Sequence, residues 1–280
     1  MTDTYNYGLA QNIIHLFNAV GLYPKDLIEI LLALLSLFFL LAFVMHIVLV
    51  RRNPDYEYSR FSTFLWPSHH LFAFFFGLLF IRATLFEPHY ISRDTLVPAL
   101  RTGDHILLGM FQYALRLPMM QAPVFVFAGP QRGDIVYFAN PEAPEQMDFF
   151  RIIGLPGEHV RYNRRTGEVY INGNVLLQTI ANRQGLDTNP GIGVFEEHLG
   201  ERSIIITKKD KAIDRLGAWL PDDGREVPAG HYFGLYDARY KCCDSREIGV
   251  IALKDIKGKA FFIYMNESSG ISFNRNGLVQ

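Results

Sequence analysis

Cysteine is scarce in this 280-residue chain: there are two, and they are neighbours, Cys242 and Cys243. Adjacent cysteines meet disulfide geometry poorly, so no disulfide framework is expected to hold the fold. Neither a zinc-ligand spacing nor a CxxC redox pair is present, and no metal or cofactor is expected. Net charge is missing too. The 27 Lys and Arg balance 28 Asp and Glu, which leaves no basic excess for binding nucleic acid. Internal repeats and low-complexity tracts are absent. After Phe86 no long helical periodicity appears.

What the chain does have is an apolar N-terminal region. Residues 30–50 contain no Asp, Glu, Lys or Arg, and only Ser36 and His46 interrupt the run as polar side chains. About 20 apolar residues are enough to cross a hydrocarbon core about 30 Å thick. A cleavable signal peptide has a shorter apolar core, and here Arg51 and Arg52 stop the run. His46 is expected near headgroup level, and His15 in a surface stretch, neither with a chemical role. A second apolar run, 71–80, has aromatic flanks and Arg82 near its far end, where a long side chain can snorkel. An interfacial amphipathic helix is the alternative reading of that run.

Arg51, Arg52 and Arg60 lie between the two runs, whereas the tail before them holds only Lys25. The positive-inside rule then makes 51–70 a cytoplasmic loop. With residues 26–88 as two transmembrane helices, the tail 1–25 and the domain 89–280 both lie outside.

The domain from His89 onward consists of short β-branched and aromatic runs separated by Gly, Pro, Asn and Asp. Examples are 105–108, 134–138, 159–162, 168–171, 202–207, 231–235 and 259–264. Such punctuation predicts a mainly β domain, a sandwich or barrel. Asn172-Gly173 is a tight-turn signal. Residues 182–225 are less patterned and are expected to form a β-rich insertion with two or more short strands.

Four blocks, in order, carry a family resemblance. The first runs from Ile81 through Phe86-Glu-Pro and Ser92-Arg-Asp-Thr-Leu-Val-Pro-Ala-Leu to Gly103-Asp. The second is Tyr113-Ala-Leu-Arg-Leu-Pro with Arg132-Gly-Asp-Ile-Val-Tyr-Phe. The third is Phe149-Phe-Arg-Ile-Ile-Gly-Leu-Pro-Gly-Glu. The fourth is Val227-Pro-Ala-Gly-His-Tyr-Phe-Gly-Leu-Tyr-Asp-Ala-Arg, followed by Asp244-Ser-Arg. Together they resemble bacterial signal peptidase I, in its two-span Gram-negative form. The resemblance implies a multi-pass protein of the bacterial inner membrane with a periplasmic β domain. Its implied partners are membrane lipids and signal peptides or exported proteins.

The family's mechanism uses a serine nucleophile and a neutral lysine base. Pro98 and Leu100 set the register of the first block and put Thr95 at the nucleophile position, with Leu96 after it. The third block puts Phe150 at the lysine position, just before Arg151. Phenylalanine cannot take a proton, so the general base is lost. The resemblance further implies substrate contacts at Asp94, Leu96, Pro98 and Phe149. It implies structural support from Arg151, Asp244 and Arg246 as a buried ion-pair set, with Cys242 where the family has the serine beside the lysine. In the fourth block, Tyr236-Asp-Ala-Arg stands where the family has Gly-Asp-Asn-Arg.

Substitute groups are Lys241 or His105 as base, Ser92 as nucleophile, and the two cysteines, for which a buried inert thiol is the plainer reading. Two readings follow. One is a non-catalytic homologue that keeps a peptide-binding groove. The other is a divergent working peptidase that attacks through Thr95.

Overall fold

The computed structural model describes residues 24–53, 67–115, 123–141, 143–181, 191–209, 219–268 and 270–279. The N-terminal tail with His15 and most of the 51–70 loop with Arg60 lie outside the described residues. So do parts of the second block and of the 182–225 insertion. The chain divides into two compact units, one ending at Leu85 and the other starting at Phe86.

In the first unit, α1 (Pro24–Arg52) has 29 residues and ends on two basic residues. Its segment Ile30–Arg52 is the one described helix long and apolar enough to cross a membrane. The second helix, α2 (Ser68–Phe80), is more apolar per residue but has 13 residues, continuing as a π-helix through Ile81–Leu85. It is therefore shorter than the expected second span, because at Phe86 the chain changes to extended backbone. Phe39 of α1 stacks on Phe75 of α2, with ring centroids 5.5 Å apart.

The second unit is mainly β. In chain order its strands are β1 (Phe86–Tyr90), β2 (Asp104–Gly109), β3 (Ala114–Leu115), β4 (Phe125–Val126), β5 (Ile135–Asn140) and β6 (Ala143–Gly154). Next come β7 (His159–Tyr162), β8 (Val169–Ile171), β9 (Asn174–Val175), β10 (Gln178–Ile180), β11 (Ile192–His198) and β12 (Ser203–Lys209). The last are β13 (Arg225–Glu226), β14 (His231–Leu235), β15 (Ile251–Ala252), β16 (Ile256–Asn266) and β17 (Gly277–Leu278). A four-residue helix, α3 (Ser245–Ile248), follows β14.

The main sheet runs β1-β2-β16-β5-β6-β14-β15, with β17 also paired to β16. Burial alternates along β2 and the first half of β16, so one face of each meets the core. β5 is buried at four consecutive residues, as a central strand covered on both faces must be. Asn172 and Gly173 both take positive φ, which makes the tight β8–β9 turn expected from their sequence. The insertion is β-rich where described: β10, β11 and β12 form an antiparallel sheet of three.

Candidate active site

Thr95 lies in the turn that leaves β1 and is half-buried. Its carbonyl accepts a hydrogen bond from Ala238 N–H at 3.0 Å, tying the turn to the segment after β14. A small cleft opens beside it. Ser92, Arg93, Leu96, Asp148, Phe149 and His89 are among the residues that line this cleft with Thr95, and among the described residues no lysine does. The Thr95 hydroxyl makes no hydrogen bond among the described residues.

Leu96 and Phe149 therefore sit where substrate contacts were expected, although most of each side chain is buried in the core. Asp94 and Pro98 do not line the cleft. The Asp94 carboxylate accepts from Thr102 N–H at 2.8 Å as a turn acceptor, and the Pro98 carbonyl accepts from Arg275 at 3.4 Å. Leu96 and Phe149 are thus largely interior, as members of the hydrophobic core. Exposed apolar side chains stand instead at Val124, Phe125, Val126 and Phe127, on and beside β4.

Phe150 sits on β6 opposite Val136 of β5. Its side chain is fully buried. The ring packs against Phe138, with centroids 4.5 Å apart, and edge-on against Tyr236 at 5.0 Å. Gly234 supplies the remaining room: a Cβ there would lie 2.6 Å from the Phe150 Cβ. This position is a closed contact formed by Phe138, Tyr236 and Gly234. Nearby, the Tyr236 hydroxyl donates to Asp148 at 2.7 Å. Burial first, and then the Asp148 carboxylate, push the Tyr236 phenol well above its ordinary range.

None of the substitute bases lines the cleft. His105, on β2, pairs with Glu267 at 3.1 Å, and the Lys241 backbone closes a turn onto Ala238. Ser92 is exposed at the cleft rim. His89 was not singled out in the sequence, yet its ring lines the cleft and faces Tyr137 and Phe149 at 4.9 and 5.2 Å. Only its place in the Phe86-Glu-Pro-His exit could have signalled it.

The support residues separate into distinct pairs rather than one set. Arg151 is buried and donates two bonds to Asp237, each 2.7 Å, and a third to the Gly133 carbonyl at 2.8 Å. Burial pushes the Asp237 carboxyl up, against the opposing pull of Arg151 and Arg239. Asp244 caps α3 and takes Arg246 through Nε at 2.8 Å and Nη2 at 2.7 Å. Arg246 also donates to the Arg239 and Lys241 carbonyls, both at 2.9 Å. Arg239 pairs with Glu197 of β11. Asp237, Arg239 and Glu197 were missed because partners so far apart in sequence cannot be matched from residue type alone.

The buried-thiol reading fails, because both cysteines are exposed; Cys242 Sγ accepts from the Cys243 thiol at 3.0 Å. The Cys243 thiol is pushed up to about 12, first by its hydrogen bond to Cys242 and then by burial, which argues against it as a nucleophile.

The signal peptidase family, peptidase S26, matches residues 66–265, a span that holds the cleft, Phe150 and the buried pairs. The chain belongs to that family. It is 32% identical over 205 residues to signal peptidase I of Pseudomonas aeruginosa, covering 70% of each protein. It is 33% identical over 224 residues to signal peptidase I of Pseudomonas fluorescens, covering 75% of this chain and 77% of that one. A signal peptidase I structure from Enterococcus faecalis aligns over 48% of this chain and 97% of its own at 28% identity, with a TM-score of 0.31, too low to carry an argument. As a signal peptidase homologue, the chain keeps a mainly β domain.

Proposed function

We propose that this chain is a non-catalytic signal peptidase I homologue, anchored in the bacterial inner membrane, that binds extended segments of exported or membrane proteins at the outer face. The observation that carries this reading is Phe150: a buried ring, closed in by Phe138, Gly234 and Tyr236, occupies the position of the base. An unactivated threonine hydroxyl is a poor nucleophile at neutral pH. The cleft beside Thr95 and the neighbouring sheet edge suit strand addition by an extended peptide.

In this reading α1 is one span and the segment from α2 through the π-helix is the second, with residues 51–70 in the cytoplasm and the β domain in the periplasm. Lipid contact falls to the exposed apolar side chains near β4.

A divergent peptidase with Thr95 as nucleophile is the second reading. It is favoured by the open Thr95 hydroxyl and by His89 and Asp148 in the same cleft. Purified full-length protein incubated with a preprotein bearing small residues at its cleavage site separates the two. No processing by the wild type, and none by Thr95→Ala, is the expected result. Processing that Thr95→Ala abolishes would falsify the non-catalytic reading.

A further inference from the structure

Cys242 and Cys243 take no part in the site just described, yet their arrangement has a chemistry of its own. Their sulfur atoms are 3.0 Å apart, and both side chains are exposed. Glu247, one helical turn on, accepts from Cys243 N–H at 3.2 Å through one carboxylate oxygen. Its other oxygen, Oε1, is buried and makes no hydrogen bond. One ligand atom from each of the three residues lies within 4.8 Å of the others.

We propose that Cys242, Cys243 and Glu247 form a binding site for one borderline-to-soft divalent cation of the zinc and cadmium class. Two thiolates and a carboxylate are a donor set that such cations accept. The orphan Oε1 is the independent observation. A vicinal disulfide would leave it without a partner, whereas a cation supplies one. Tetrahedral coordination at ~2.3 Å per sulfur needs sulfurs ~3.8 Å apart, so the observed pair opens by less than ~1 Å on binding.

The loop is held from both sides. Arg246 grips the Lys241 carbonyl before the cysteines and the Asp244 carboxylate after them. Between these fixed points Cys243 takes φ 75°, a left-handed conformation uncommon for a residue other than glycine. Three protein ligands leave a fourth position open. Cys243 and Glu247 line a depression together with Arg93, Met147 and Asp148. The last three also line the Thr95 cleft, so a bound cation would sit at the far end of the same surface. Sequence spacing did not reveal the site because its third ligand is a carboxylate brought in by α3. The site does not depend on whether Thr95 is catalytic.

The test uses the reduced, chelator-treated full-length protein in detergent, titrated with cadmium. One cadmium per chain is expected, with the ultraviolet absorption of a cadmium–thiolate bond. The double variant Cys242→Ser, Cys243→Ser should lose both. Glu247→Gln should keep the absorption and bind about tenfold or more weakly, the scale on which disturbed metal surroundings lower affinity. Circular dichroism identical to wild type establishes that each variant is folded. No stoichiometric cadmium on the wild type, or binding unchanged in the double cysteine variant, overturns the site. Wild-type affinity in Glu247→Gln overturns the three-ligand assignment.

Discussion

The Phe150 and Tyr236 rings meet edge to face with centroids 5.0 Å apart, and the Tyr236 hydroxyl reaches on to Asp148. Tyr236 stands where the signal peptidase resemblance has glycine, and Phe150 where it has lysine. The two aromatic side chains pack against each other in the core. A lysine placed at 150 would still meet the Tyr236 ring.

Thr95→Ser with Phe150→Lys should therefore remain inactive against preprotein. Adding Tyr236→Gly should give the first detectable cleavage. Phe150→Lys alone should destabilise the protein by about 3–5 kcal/mol, the usual cost of removing a buried Phe side chain. Chemical denaturation of the set, run beside a gel-based cleavage assay, checks both statements. Cleavage by the double variant equal to that of the triple would show that Tyr236 is no obstacle.

Gly234→Ala should lower stability by about 1–3 kcal/mol, as overpacked cores do, since the new methyl would press on the Phe150 Cβ. A variant with an unchanged denaturation midpoint would mean that β14 can shift away.

Asp237→Asn should cost about 3–5 kcal/mol, because it removes the carboxylate charge that takes two hydrogen bonds from the buried Arg151 guanidinium. By contrast, Arg202→Ala should cost under about 1 kcal/mol, since half-exposed Arg202 lies 3.4 Å from an Asp134 that Lys259 also pairs. Thermal melts of the two variants in one buffer test the contrast.

Tyr113, Tyr137 and Tyr236 all have phenols raised in the fold, chiefly by burial. A raised folded value means the folded chain keeps its proton while the unfolded chain loses it near pH ~10. This contribution to stability is full below that pH and falls as pH rises further. In an ultraviolet titration these three should ionise only on alkaline unfolding, and Tyr236→Phe should reduce the steepness of the stability loss. Free titration of all tyrosines in a still-folded protein would contradict the burial.

The β domain released from its helices should bind liposomes through Val124, Phe125, Val126 and Phe127, provided it stays folded. Phe125→Asp with Phe127→Asp should reduce vesicle cosedimentation several-fold. For the anchor, a cysteine placed at Asp55 should resist an impermeant thiol reagent in spheroplasts and react once the membrane is opened. Labelling before permeabilisation would invert the assigned topology.

The strands were legible where β-branched and aromatic residues follow one another, as in 135–138 and 231–235, because such runs fit a pleated buried surface. β6 was less visible as a whole, since its first half carries polar residues before Phe149. Thr95 and Phe150 could be numbered because Pro98 and Arg151 fix the register beside each. What filled the space around Phe150 could not be read, since Phe138 and Tyr236 reach it from other strands. The length of α2 also escaped the sequence, because the apolar run continues through a change of backbone that hydropathy does not register.

Phe150 and Arg151 are consecutive on β6, so their side chains leave the strand on opposite faces. One meets aromatic rings, while the other is locked to Asp237 and Gly133. The Phe150 face can therefore be repacked without disturbing the ion pair on the other side of the same strand.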